Sequence, residues 1–141
     1  MRPWIPLRLA AGLMAIFAAG HSVGMLMRWN RGPQEEAVLQ AMRSFRFQAM
    51  GFERSHWDFY RGLGWFLSLT GVLFVVSLWQ VSRLAQSHGR VAAPLIATFS
   101  IATGVAALLN WTYFFTAPAV VCTAAALCVG LSLKGLRLPD Q

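Results

Sequence analysis

Residues 91–133 read VAAPLIATFSIATGVAALLNWTYFFTAPAVVCTAAALCVGLSL, 43 consecutive positions without a charged side chain. A helix that crosses a bilayer needs about 20 mostly apolar residues. Each residue rises ~1.5 Å against ~30 Å of hydrocarbon, and the backbone must satisfy its own hydrogen bonds there. The stretch is long enough for two such helices, and Asn110, Trp111, Tyr113 and Pro118 give its middle the composition of an interfacial turn. Working outward, residues 9–27 and 62–82 are also free of charge and hold one span each. The pattern predicts spans near 6–27, 60–82, 92–112 and 117–134. The expected fold is all-α, an integral membrane four-helix bundle forming a single transmembrane domain.

Composition agrees. The 141 residues are 57% hydrophobic and 12% charged, against roughly half and a quarter in soluble domains. The net charge of +7 would fit nucleic acid, but the arginines flank the apolar spans instead of forming one stripe, which fits a bilayer better. Eleven of the twelve basic residues are Arg, a bias of GC-rich bacterial genomes. The first apolar stretch follows Arg2 and Arg8, and a signal peptide ending near Ala18, Ala19 and Gly20 is an alternative. Its apolar run continues to Met27, which favours an uncleaved span. Cys122 and Cys128 stand six apart on one expected helix, about 9 Å along its axis, too far for a mutual disulfide. The sequence calls for no metal and no cofactor.

The connector between the first two spans, residues 28–59, has helical character. Pro33 suits a first helical position, Glu35 and Glu36 suit a helix start, and Val38, Leu39, Met42, Phe45 and Ala49 recur at helical spacing. Arg43, Arg46 and Gln48 supply its polar face. The expectation is an amphipathic interfacial helix terminated by Gly51. Ser55 to Asp58 then has the S-x-x-[DE] pattern of a capping box at the mouth of the second span. Small residues four apart, Gly20/Gly24, Gly64/Ser68, Ala102/Ala106 and Cys122/Ala126/Gly130, read as helix-packing positions.

Four alternating spans bring one set of helix ends to one side of the membrane, and that side collects the reactive side chains. His21 lies near the end of the first span. Arg54, His56, Asp58, Tyr60 and Arg61 open the second, and Asn110 and Tyr113 close the third. Ionisable groups at membrane depth are costly unless they find partners. His21 is expected to pair with Asp58 or Tyr60, an arrangement suited to proton transfer, or else to be satisfied by backbone or a hydroxyl. His21 and Asp58 are therefore the catalytic candidates. Arg54, His56, Tyr60, Arg61, Asn110 and Tyr113 are the candidates for binding a polar head group. Gly20-His21-Ser22-Val23-Gly24 matches G-x-S-x-G, but it lies inside an apolar helix with no preceding strand, so helix packing explains it better than a nucleophile elbow.

Basic residues divide equally between the two sides. Arg2, Arg8, Arg83, Arg90, Lys134 and Arg137 lie with the termini, and Arg28, Arg31, Arg43, Arg46, Arg54 and Arg61 lie opposite. The acids offset the second group more, which tips the orientation toward cytoplasmic termini.

The segment Gly51-Phe52-Glu53-Arg54-Ser55-His56-Trp57-Asp58-Phe59-Tyr60-Arg61-Gly62-Leu63-Gly64, preceded by His21 in a G-H-x-x-G context, resembles a stretch shared by small uncharacterised bacterial four-span membrane proteins. The resemblance implies a four-span architecture and supplies no activity. Arg54-Ser55-His56 with Asp58 is similar to the Arg-Ala-His-x-Asn stretch of the membrane glutathione transferase and eicosanoid family. Here Asp58 replaces the Asn, and no Glu-Asn pair follows. The leading expectation is a multi-pass protein of the cell membrane, a bacterial inner membrane, that binds a lipophilic molecule with a polar head, with its transformation by acid–base chemistry as an extension of that reading. The alternatives are a structural or accessory subunit docking a partner, and a glutathione-transferase-like enzyme. A transporter is disfavoured by the lack of mid-span charge and of an internal repeat. Expected partners are membrane lipids, a lipophilic small molecule, and a second copy of the chain or another membrane protein, not nucleic acid.

Overall fold

A computed structural model describes residues 2–27 and 32–136 of the protein. The chain is all-α, with one short hairpin: α1 (Trp4–Leu26), α2 (Pro33–Ser44), β1 (Arg46–Ala49), β2 (Phe52–Ser55), α3 (His56–Ser87), α4 (Gly89–Tyr113) and α5 (Thr116–Gly135). Four of the helices, α1, α3, α4 and α5, are long and apolar enough to cross a membrane, and they coincide with the four expected spans. Only 17–28% of each apolar window is buried within the protein, so most of the apolar surface of these helices faces outward. Arg28, Arg31 and Arg137, which enter the orientation count, lie outside the described residues.

The structure divides into two compact units, one of residues 1–18 and 71–141, the other of residues 19–70. In the first, the start of α1, the end of α3, and α4 with α5 share one core, built around Leu7, Ala10, Met14, Leu78, Val81, Ile96, Ala107, Cys122, Ala125 and Val129. Six alanines and Cys122 are among the thirteen residues of this core, and such small side chains allow close van der Waals approach between helices. Gly71 illustrates the closeness: a Cβ there would stand 3.1 Å from that of Ala18. α4 and α5 form a tight pair linked by Phe114 and Phe115 alone. Their buried stripes are Ala92, Ile96, Thr103, Ala107 and Asn110 on one side and Ala119, Cys122, Ala125, Val129 and Ser132 on the other. Polar members of these stripes turn inward on their own helix. Thr103 Oγ1 donates to the Phe99 carbonyl (2.7 Å) and Ser132 Oγ to that of Cys128 (3.0 Å).

The small-residue reading holds in part. Cys122 is buried, but the α4 stripe runs through Thr103 and Ala107, one position beyond the expected Ala102 and Ala106. A Cβ at Gly20 or Gly24 would meet nothing within 4 Å, whereas one at Gly64 would collide with the Met25 side chain. Cys122 and Cys128 are both free thiols.

The connector departs from expectation. α2 starts at Pro33 with Glu35 and Glu36 in its first turn, but it ends at Ser44 and does not continue to Gly51. Phe45 turns extended (φ −74°, ψ 111°), and residues 46–49 pair antiparallel with 52–55, Arg46 opposite Ser55 and Ala49 opposite Phe52. Phe45 and Ala49 fit helical spacing, yet Phe45, Phe47 and Ala49 also alternate, the period of a strand. The alternation prevails because Met50 and Gly51 close a two-residue turn with φ of 51° and 87°, both positive as a type I′ hairpin turn requires. Glycine adopts that conformation freely; methionine is held there at a cost of about 1 kcal/mol. Accordingly, Met50→Asn is expected to stabilise the protein by roughly 0.5–1 kcal/mol and Gly51→Ala to destabilise it by about 1 kcal/mol, read as opposite shifts of thermal unfolding in detergent.

Candidate functional site at the mouth of α3

β2 runs into α3 without an intervening residue. The first turn of any helix carries N–H groups without intrahelical partners, and here Ser55 and Asp58 satisfy them reciprocally. Ser55 Oγ accepts from the Asp58 amide (3.2 Å), and the Asp58 carboxylate accepts from both the Ser55 amide (2.8 Å) and the Ser55 hydroxyl (2.9 Å). This is the capping box read in the sequence. Ser55 is buried while its neighbours are exposed, so among the described residues of the connector the junction is the one sealed point.

The aromatic residues of the hairpin close over this junction. The Phe45 ring stacks on His56 (5.6 Å, 9° between planes), and Phe47 contacts both His56 (5.1 Å) and Phe59 (5.8 Å). From α2, the Arg43 guanidinium lies 4.7 Å over the Trp57 ring, and Trp57 stacks on Tyr60 (5.4 Å). Such cation–ring and ring–ring contacts contribute about 0.5–1.5 kcal/mol each where exposed. Two ion pairs, Arg46 with Glu53 (2.6 Å) and Arg43 with Glu36 (3.3 Å), lie on the surface, where such pairs add little.

Among the expected site residues, Arg54, His56, Asp58 and Tyr60 thus meet at one junction, each with a local partner. Arg54 lies 5.2 Å over the Phe52 ring and donates to the Glu53 carbonyl (2.8 Å). Arg61 is exposed on the next turn of α3. His21 lies deeper: its Nε2 donates to the Gly64 carbonyl at 2.9 Å, which fixes the proton on that nitrogen. Gly64 is six residues beyond Asp58, about 9 Å along α3, and this bond is the backbone alternative expected for His21.

Asn110 and Tyr113 belong to the other unit. Asn110 is buried, donating to the Ala106 carbonyl (2.8 Å) and reaching Cys122 Sγ (3.5 Å) across the α4–α5 pair. One residue on, Trp111 Nε1 donates to Thr123 Oγ1 (3.0 Å), while Tyr113 is exposed at the helix end. Ser22 sits inside the unbroken α1, without the strand and strained turn that a nucleophile elbow requires.

Phe45, Phe47 and Arg43 went unrecognised as parts of this cluster, because their contacts depend on a chain reversal that the helical spacing concealed. The Gly64 carbonyl has no side-chain signal at all. Ser55→Ala and Asp58→Ala should each cost about 1 kcal/mol, and the double variant little more than either alone, since both remove the same cap; a double-mutant cycle on thermal unfolding measures it. Comparison with protein-family models, with curated proteins and with solved structures finds no match to this chain, so its function rests on its own residues and their geometry.

Proposed function

We propose that the protein is a multi-pass integral membrane protein of a structural or accessory kind, whose connector forms a folded platform at one membrane face and docks a membrane partner. Four long helices with most of their apolar surface turned outward support the membrane location, since water would penalise that surface. The observation that carries the accessory role is the Asp58 carboxylate: its recorded bonds go to Ser55, in a cap that holds the connector on α3. His21, on α1, has its Nε2 bonded to the Gly64 carbonyl, six residues beyond Asp58 on α3. The docking element is the hairpin tip. Met50 is fully exposed in a left-handed conformation, with Phe52 exposed beside it. An apolar residue kept in a strained, solvent-facing turn breaks local rules in the way that functional positions do.

A second reading keeps the junction as a binding ledge for an anionic or polar head group. It draws on the Arg43–Trp57–Tyr60 stack, its two outer members exposed and Trp57 half-buried, with Arg54 and Arg61 on the same segment.

The protein is expected to stay in the membrane fraction through alkaline carbonate extraction. A photoreactive residue at position 50, in native membranes, is expected to give a discrete crosslinked product that Phe52→Asp abolishes. The catalytic reading is tested on the same preparations. Asp58→Asn keeps an acceptor for the cap and should leave the crosslink and the co-purifying small molecules unchanged. Loss of a specific bound molecule in Asp58→Asn or His21→Ala, with unfolding temperature unchanged, would return the site to the enzyme reading.

A further inference from the structure

The unit formed by residues 1–18 and 71–141 has an unbalanced charge. The five acids of the chain are Glu35, Glu36, Glu53, Asp58 and Asp140. Four of them lie in the other unit, and Asp140 lies outside the described residues. The described part of this unit therefore holds Arg2, Arg8, Arg83, Arg90 and Lys134 with no carboxylate side chain. All five gather at one end. Arg83 and Arg90 flank the α3–α4 turn, Arg2 and Arg8 open α1, and Lys134 closes α5, whose Leu136 reaches within 3.3 Å of where a Cβ would stand on Gly89.

Arg8 differs from the other four. They are exposed, whereas Arg8 is half-buried, with its guanidinium 4.6 Å over the Trp4 ring and 5.0 Å over the Trp79 ring. A ring face attracts the charge but offers no lone pair to an N–H. Arg8 Nε is fully shielded from solvent and has no hydrogen-bond acceptor among the described residues. With Nε closed off, the remaining donors sit on the two terminal nitrogens, whose planar fork matches two oxygens of a phosphate. Two indoles and an arginine near a helix end are also the composition of the membrane–water interface.

We propose that Arg8, held by Trp4 and Trp79, is a binding site for a phosphate anion at the membrane surface, supplied either by the head group of an acidic phospholipid or by a soluble phosphate. The lipid source rests on the membrane location proposed above. The anion supplies a counter-charge that the described part of this unit lacks, and acceptors for the terminal nitrogens that the ring faces cannot provide. Trp4 precedes Arg8 by one helical turn, so α1 presents the cation already stacked, and Trp79 fixes it from α3.

Full-length protein in a neutral detergent is titrated with dioleoyl phosphatidylglycerol, with dioleoyl phosphatidylcholine and with inorganic phosphate, and occupancy is read by native mass spectrometry. Preference for phosphatidylglycerol over phosphatidylcholine assigns a lipid, saturable binding of phosphate alone assigns a soluble anion, and binding of neither overturns the site. Arg8→Gln should weaken the assigned anion roughly five- to tenfold, the effect of one interfacial charge. Arg8→Lys, which keeps the charge and is checked for an unchanged unfolding temperature, should weaken it nearly as much, because a lysine lacks the stacked fork. Arg83→Gln should have little effect. Arg8→Lys behaving as wild type, or Arg83→Gln weakening binding as far as Arg8→Gln, would reduce the effect to diffuse charge and overturn the proposal. Release by carbonate, by contrast, would end the membrane reading and leave the phosphate titration decisive for Arg8.

Discussion

The reciprocal hydrogen bonding of Ser55 and Asp58 fixes the point at which a strand becomes a helix without a linker. A helix start has donors to satisfy, and a strand end has a direction to give up; one serine and one aspartate meet both needs. Because the junction is fixed, the hairpin has one approach to α3, and that approach sets Phe47 against His56 and Phe59. It also accounts for the position of α2, whose Arg43 meets the first turn of α3 at Trp57. The densest chemical segment of the sequence is thus first of all a folding unit.

That view changes what the segment from Gly51 to Gly64 means. Gly51 supplies a positive φ, Ser55 and Asp58 the cap, Trp57 and Phe59 the ring contacts, and Gly64 a carbonyl for His21. Every one of these positions has a mechanical reason for its residue type. A pattern of charged and aromatic residues at a helix mouth therefore does not by itself argue for catalysis, even where the same letters would serve an acid or a base.

The long helices were legible because their signal is redundant: dozens of apolar positions and three charge-free stretches all agree. The capping box was legible because both partners lie within one turn of each other. What escaped were features whose signal is short or non-local. Four strand residues can be read at either period, and Met50 in place of the usual Asn or Asp hid the turn. The α4 stripe was missed by one position, since small residues crowd that helix on several faces and only the partner decides which face is buried. The contact of Arg8 with Trp79 joins residues 71 positions apart, and nothing in either neighbourhood announces it.

The direct passage from β2 into α3 makes the hairpin a lever. Four paired rows extend about 13 Å from a root that is part of a helix of 32 residues, with no hinge residue between them. A load applied at Met50 bends or turns the first turn of α3 instead of being absorbed by a loop. Phe45 and Phe47 then act as the fulcrum, the Arg43 contact with Trp57 takes up the torque at the first turn, and the His21 bond to Gly64 meets it two turns further down the same helix.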